Sequence, residues 1–510
     1  YQAGAAVTTG QNNVLIGGEA GKAITSANNN TAVGHKALYT NVDGTANTAV
    51  GYQALYTIDP SGAAATYNTA IGYEAGYAMT TGSNNTVYGA NAGKGITSGV
   101  NNIAVGKDAM QATCTGSNTV AVGTGALNAV EDGEDNTAIG HNALIANVSG
   151  DNNVAIGRAA LGACTTNENI AIGSYAADAV TSGTRNVAIG HQALTQEDTR
   201  SYAVGIGYRA LYSQNADANT YNVAVGSSAG KSITTGAYNS IVGGNAGYTV
   251  TTGTQHTVLG YYALHNCLDG NSNTAIGYLA GEDCTASNNT FIGSSAGKQV
   301  TSGTNNTALG VGAMITQTTG DANTAIGHSA LYTNLDGDAN TAVGYDALKY
   351  NTAAGNTGVG YNSLRANAGG SSNTAIGYNS LAANVEGLHN VAVGHSALQS
   401  ANHADADANT AVGYDALGDI TEGAMNVGIG KNAGNNITTG DNNVCIGKDS
   451  QVGSATGDGQ VVIYNGTVVA DFQGSETAWT FTSDGRDKKD IVDLDLGLEF
   501  INKLQPRKYT

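Results

Sequence analysis

One five-residue motif recurs along most of the chain and limits what the chain can fold into. The motif Asn-Thr-Ala-Val/Ile-Gly occurs 26 times, with its final glycine running from Gly17 to Gly447. Of the 25 intervals between successive motif glycines, 19 are 17 residues long and the others are 16, 19 or 21. Such a short, regular period is typical of one stacked structural unit rather than of separate globular domains.

Each repeat has the composition of a short strand with small-residue corners. The residue before the motif glycine is Val, Ile or Leu in 25 of 26 copies, Asn stands four residues before it in 23, and Ala or Ser stands three after it in all 26. Seventeen residues are too few for a strand–helix–strand crossover, and no 3.6-residue apolar stripe is present. The sequence therefore predicts an all-β fold, a parallel β-solenoid (β-roll) of about 26 coils of about 17 residues over residues 1–450.

The alternation within the strand suggests which side chains face inward. In Asn-Thr-Ala-Ile-Gly, the Thr (or Val) at the second position and the Ile at the fourth share one face, and the Ala and the Gly share the other. We expect the aliphatic face to point into the coil, and the flat Ala and Gly face to approach other chains around a shared axis. The Asn column is expected to form a ladder of stacked amides at a corner.

Charge and cysteine usage narrow the possible partners. The chain has 39 acidic and 20 basic residues, a net charge of −19, which argues against nucleic-acid binding. No apolar run is long enough for membrane insertion. The five cysteines are scattered, so they are expected to fill the core rather than bind zinc; a Cys267–Cys284 disulfide is the alternative. No cofactor is predicted. Because Tyr1 opens within a repeat without a signal peptide, we expect a fragment of a longer chain.

The end of the chain differs in composition from the repeats. Residues 451–482 are expected to form a small β-rich connector, with short apolar strands separated by Asn465-Gly466 and Gly474. Six of the 20 basic residues fall in residues 483–510. This change predicts a third segment over 483–510.

The repeats resemble a known family. Strings such as Asn47-Thr48-Ala49-Val50-Gly51 and Asn153-Val154-Ala155-Ile156-Gly157 resemble the head repeats of trimeric autotransporter adhesins, over roughly residues 11–450. The resemblance implies β-rolls assembled in threes, although the repeat here is longer. Similar repeats occur in tail fibres of bacterial viruses.

The last 28 residues carry a second resemblance. Ser483-Asp484-Gly485-Arg486-Asp487-Lys488 and the later stretch 496–506 resemble the opening of the endosialidase-type intramolecular chaperone. That resemblance implies trimerisation of a fibre followed by release of the chaperone. It assigns Ser483 as nucleophile on the Thr482 carbonyl and Lys488 as its base, because a lysine of lowered pKa can activate a serine hydroxyl. The domain is expected to be truncated at Thr510.

Two groups of residues are candidates for binding. The position after the motif glycine is Tyr in nine copies and His in five, and an aromatic column could stack on sugar rings or simply cover a corner or an inter-chain seam. Three long intervals mark insertions at one corner. Insertions in solenoids form loops, often on a binding face, so these are the candidate receptor contacts, and simple tolerance of insertion is the alternative. The candidate binding residues are Tyr52, Tyr345, Tyr414, Asp59, Asp217 and Asp405.

No metal is predicted at these sites. Asp405, Asp407 and Asn409 imitate the start of a calcium loop, but the glycine and closing glutamate of such a loop are missing. Three histidines brought together on a threefold axis would be a different route to a metal or anion site.

These features favour a structural and adhesive viral tail fibre of the virion, acting outside the cell. The expected partners are two further copies of the chain, other tail proteins and a host-cell surface glycan or protein. The chain is not expected to be an enzyme beyond a single self-cleavage before Ser483. A bacterial trimeric surface adhesin, an ice-binding solenoid presenting threonines and a glycan depolymerase are the alternatives.

Overall fold

The computed structural model describes residues 2–60, 64–196, 199–216, 218–467, 469–472 and 480–482. These residues form strands, turns and bends, and none of them is helical. The chain divides into two compact units, Tyr1–Ala354 and Gly355–Thr510. The predicted all-β parallel solenoid is confirmed, because each motif supplies one strand that pairs in parallel with strands one repeat away. No described segment is a helix that could cross a lipid bilayer.

The first unit contains the strands β1 to β20, each three residues long. Their bounds are Val14–Ile16, Thr31–Val33, Thr48–Val50, Thr69–Ile71, Thr86–Tyr88, Ile103–Val105, Val120–Val122, Thr137–Ile139, Val154–Ile156, Ile170–Ile172, Val187–Ile189, Val204–Ile206, Val223–Val225, Ser240–Val242, Thr257–Leu259, Thr274–Ile276, Thr290–Ile292, Thr307–Leu309, Thr324–Ile326 and Thr341–Val343. Equivalent residues are in register, as where Leu309 lies between Ile292 and Ile326. Matching side chains are therefore stacked in files.

The second unit contains β21 to β29. Its strands are Thr357–Val359, Thr374–Ile376, Val391–Val393, Thr410–Val412, Val427–Ile429, Val444–Ile446, Val461–Tyr464, Val469–Phe472 and Thr480–Thr482. Pairing is parallel from β21 to β27 and antiparallel from β27 to β28 and from β28 to β29. The solenoid of this unit therefore ends in an antiparallel meander.

The strand faces inward through its central residue, so the predicted orientation was wrong. In nearly every strand the middle residue, usually Ala, is buried, and the flanking Thr or Val and the Val, Ile or Leu are half-buried or exposed. The coil is too thin to hold two branched side chains per strand. Its interior is filled instead by the central Ala of the strand and by the Ala and Leu that stand three and four residues after the motif glycine. The alternation was read correctly, but its two faces were exchanged.

Large residues at the strand centre are matched by glycines in the adjacent corners. Where the centre is Ala325, the fourth residues after the flanking motif glycines are Met314 and Leu331, both fully buried. Where the centre is Phe291, the corresponding residues are Gly281 and Gly297, and a Cβ at Gly281 would lie 2.6 Å from the Phe291 ring. In these coils a larger central residue is thus accompanied by smaller corner residues, as close packing requires.

The predicted asparagine ladder is present inside the coil. The Asn323 backbone N–H donates to Asn306 Oδ1 at 2.9 Å, and Asn340 N–H donates to Asn323 Oδ1 at 2.8 Å. Asn323 Nδ2 donates to the Gly337 carbonyl at 2.8 Å. Each such side-chain amide therefore accepts from one backbone N–H and donates to one backbone carbonyl of the next coil, which offsets the cost of burying it.

All five cysteines are buried, as expected of core fillers, and Cys114, Cys164, Cys267 and Cys284 are free thiols. Burial raises the pKa of Cys267 to about 12 and that of Cys284 to about 11. Their thiols are therefore protonated at neutral pH and poorly reactive.

His256 replaces an asparagine in the ladder and fits it poorly. The His256 backbone N–H donates to Asn239 Oδ1 at 2.9 Å, and the ring Nδ1 accepts from the Asn273 backbone N–H at 3.2 Å. Its Nε2 is buried near the Gly270 backbone without a hydrogen bond of good geometry. Burial lowers the pKa of His256 to about 4, from an ordinary value of 6.5.

We expect His256→Asn to stabilise the protein by about 1–3 kcal/mol, because Asn can donate to Gly270 as its ladder neighbours do to theirs. The unfolded chain binds a proton on His256 below pH 6.5, whereas the folded chain does so only near pH 4. Wild-type stability should therefore fall as pH drops through that window, and the Asn variant should lack this component.

Urea denaturation between pH 4 and pH 8 measures both effects. The control is His141→Asn at an exposed corner, which should change stability by less than about 0.5 kcal/mol. Equal pH profiles for the wild type and His256→Asn would contradict the account of this histidine.

Candidate interaction surfaces

The outward face of the strands is the most extensive candidate surface. The residue before the motif glycine forms a file of Val, Ile or Leu side chains that point to solvent, including Leu259 at 49% and Leu309 at 43% exposure. A second outward file holds Thr, Val or Ile at the first strand position. We call these two files the strand face.

The strand face carries no charge. None of the three residues in any of the 26 motif strands is Asp, Glu, Lys or Arg, although the chain has 59 charged residues, 39 acidic and 20 basic. Elsewhere the turns carry ion pairs, such as Lys349 with Asp346 at 3.0 Å. An uncharged stripe with one aliphatic file, on an otherwise acidic protein, is characteristic of a surface that another macromolecule covers.

The predicted aromatic column forms stacked ladders. Tyr52 lies between His35 and Tyr73, with ring centroids 5.5 and 5.2 Å away, and Tyr345 stacks on His328 at 4.9 Å. In the second unit Tyr414 stacks on His395 at 5.0 Å. Ring faces inside a ladder lie against neighbouring rings, so mainly edges are open to a ligand.

Two further tyrosine files were not anticipated from the sequence. Tyr39, Tyr56 and Tyr77 stack at 5.0 Å in the fifth position after the motif glycine. Tyr202, Tyr221 and Tyr238 stack in the fifth position before it. The available signal was the recurrence of tyrosine at nearly one-repeat spacing in each set.

The insertions present acidic side chains at the surface. Asp59 accepts a hydrogen bond from Val42 N–H at 3.3 Å, and Asp405 is 78% exposed with its carboxylate 3.3 Å from His403 Nδ1. Asp405 also lines a cleft of about 420 Å³ with Asp407, Glu422 and Asp441. Asp217 lies outside the described residues. Across the described ranges, no three His, Cys, Asp or Glu side chains converge in a geometry that could hold a metal ion.

The predicted cleavage site lies at the edge of the described chain. Thr482 is the last residue of β29, and its backbone pairs with Val469. Ser483 and Lys488, with the rest of 483–510, lie outside the described residues. Their assigned roles therefore stay predictions.

Comparisons with protein-family models, with curated proteins and with solved structures found no match to this chain.

Proposed function

We propose that this chain is the shaft and distal end of a homotrimeric viral tail fibre that attaches the virion to a host cell. The observation that carries the proposal is the strand face, because it repeats without a charge through all 26 motif strands. Three copies related by a threefold axis would each bury this one face and leave the turns in solvent. The two resemblances noted in the sequence support the same assembly.

The energetics of such an assembly are favourable. Burying the exposed part of one Val, Ile or Leu contributes about 1 kcal/mol per coil. A copy that contributes a file of such residues gains more than the entropy lost on association, which is about 4–15 kcal/mol. Because the ladder is in register, the contact repeats at every coil and would make the fibre stiff.

In this proposal the chain acts by binding, and the one covalent step belongs to its C-terminal segment. The Ser483 hydroxyl would attack the Thr482 carbonyl and give its proton to Lys488. The Thr482–Ser483 peptide bond would then break as its nitrogen takes that proton from Lys488, which leaves an ester between Thr482 and the Ser483 side chain. Water would hydrolyse this ester and release a shaft that ends in the Thr482 carboxylate. The trimeric shaft would remain in the virion, outside the cell, with its turns available to a host glycan or protein and its ends to other tail proteins.

Expression of a chain that continues through the whole resembled chaperone tests the cleavage. We expect mass spectrometry to find a shaft fragment ending at Thr482, and Ser483→Ala to abolish it. Ser475→Ala is the matched control and should cleave normally. An uncleaved wild-type product would remove self-cleavage from the proposal.

Adhesion of the purified protein to a panel of bacterial cells tests attachment. Fluorescently labelled protein should bind some strains, in a saturable way, and reduce adsorption of viruses that use the same receptor. Absence of saturable binding to every strain would count against the attachment function.

Ice binding is a second candidate that one structural observation favours. The threonines at the first strand position face outward rather than inward, and Thr307, Thr324 and Thr341 lie side by side in register. A regular, flat threonine file on a free face could order water. Thermal hysteresis of the purified protein would support this function, and its absence would exclude it.

A further inference from the structure

The tyrosine file Tyr39, Tyr56 and Tyr77 has one closed and one open end. At the first end, the Lys22 and Lys36 ammonium groups lie 5.3 and 5.5 Å from the Tyr39 ring centroid and cover its face. The Lys231 ammonium group lies over the Tyr248 ring in the same way, 4.7 Å from its centroid. Tyr56 covers one face of Tyr77, and the next coil lies on the other side.

The lysine of that next coil, Lys94, has the same repeat position as Tyr77 and lines the same cleft, and Tyr77 itself is half-buried. Lys94 Nζ pairs with Glu74 Oε2 at 2.6 Å, and within the described part of the chain no cation lies over the open face of Tyr77. This ion pair raises the pKa of Lys94 and lowers that of Glu74, so both stay charged at neutral pH. Because the two charges compensate each other, the surroundings of the open ring face carry no net charge.

A cleft of about 430 Å³ begins at this ring and runs along the stack. Its floor is Ala78, Gly95 and Ala112, and a Cβ at Gly95 would clash with the Ala112 carbonyl, so the floor cannot carry larger groups there. Beyond Lys94 its rim is formed by Gln111 and Asn128, which are hydrogen-bonded to each other at 3.1 Å. Four successive coils line the cleft, so it spans about 15 Å.

We infer that this cleft, which we call the Tyr77 cleft, binds a neutral oligosaccharide, an inference that rests on the proposed attachment function. A pyranose ring has an apolar face that packs on an exposed aromatic ring, and hydroxyl groups around its edge that bond to amides and charged side chains. Tyr77 supplies the ring face, and Gln111, Asn128 and the Lys94–Glu74 pair supply donors and acceptors. The length of the cleft suits two or three linked sugars.

The volume and chemistry of the cleft favour a sugar over other ligands. Ligand sites typically enclose about 300–1,000 Å³, and this cleft lies in that range. An anion would meet Glu74, and a cation would meet Lys94. An apolar ligand would cover the remaining donors and acceptors of the rim amides and of the Lys94–Glu74 pair without bonding to them, which is costly.

The test measures sugar binding by the full chain. The probes are maltotriose, cellotriose and triacetylchitotriose, together with polysaccharides purified from strains to which the wild type adheres. Saturation-transfer NMR and isothermal titration calorimetry should detect binding of at least one of these sugars. We expect Tyr77→Ala to bind the sugar that the wild type binds about tenfold more weakly. Gln111→Ala, which keeps the tyrosine ring, should also weaken binding of that sugar.

Tyr238→Ala is the matched control. Tyr238 also ends a stacked file and is 60% exposed, but it lies at a different corner. Its replacement should leave sugar affinity unchanged, and circular dichroism should show all variants folded.

Equal affinity of the wild type and Tyr77→Ala, or no retention of any probe by the folded wild type, would overturn the inference. Adhesion to cells separates this failure from that of the proposed function. Wild-type protein that adheres to cells equally well with and without Tyr77 would remove the Tyr77 cleft and leave attachment standing, whereas failure to adhere to any strain would remove both.

Discussion

Phe291→Ala should destabilise the first unit by about 3–5 kcal/mol, measured as the free energy of unfolding in urea. Phe291 is fully buried at the centre of β17, and both adjacent corners hold glycine where other coils hold leucine. Removing the ring therefore leaves a cavity that neither neighbour can fill. Hydrogen exchange should locate the loss of protection in the coils on either side of β17.

Restoring the usual pairing of small centre and large corners should recover much of this loss. The variant Phe291→Ala/Gly281→Leu/Gly297→Leu recreates the packing seen around Ala325. Gly281 and Gly297 have φ near +58° and +60°, close to the +52° of Leu331, so leucine fits their backbone. The two glycine substitutions without Phe291→Ala should instead destabilise by about 1–3 kcal/mol through overpacking. A triple variant less stable than Phe291→Ala alone would contradict the idea that the central residue and the corner residues must match in volume.

Leu259→Glu/Leu309→Glu should dissociate the proposed trimer at micromolar protein concentration. Both leucines belong to the strand face, and assembly would bury two unpaired carboxylates per chain, at a cost of several kcal/mol each after relaxation. The folded coil itself should be little affected, because both side chains point away from its interior. Light scattering during size-exclusion chromatography measures the change.

Leu268→Glu/Leu335→Glu is the matched control. These leucines are 50% and 46% exposed, similar to Leu259 and Leu309, but they lie at turns rather than on strands. The control adds the same charge and should leave the assembly intact. Dissociation by both pairs would indicate a general charge effect, and dissociation by neither would place the contact elsewhere.

The solenoid could be predicted because the repeat period fixes chain geometry. A 17-residue interval allows one strand and two corners, and a motif repeated in register places Asn306, Asn323 and Asn340 in one column. The ladder follows from that column, since buried amides need partners. The strand bounds follow equally directly from the apolar residues around each motif.

The orientation of the strand could not be read from alternation. A period of two separates the faces without saying which is inside, and hydrophobicity alone favoured the aliphatic face. The deciding signal is volume, visible in the sequence as the pairing of Phe291 with Gly281 and Gly297, because only interior residues must match in size.

The Tyr77 cleft depends on contacts that no periodicity encodes. The tyrosine file is visible in the sequence, but the ion pair that Lys94 forms with Glu74 beside the Tyr77 ring is not. Leucines with left-handed backbone, such as Leu331 at φ +52°, are equally unexpected, because that region is uncommon for residues other than Gly, Asn and Asp. Tertiary packing selects it at these corners.

The native mass of the wild-type assembly tests the central claim, that the strand face is a contact between copies of this chain. The single chain weighs 51.0 kDa. We predict that native mass spectrometry and light scattering give three times that mass, held together at micromolar concentration. A stable particle of one chain mass, with the strand face accessible to apolar dyes, would contradict the claim.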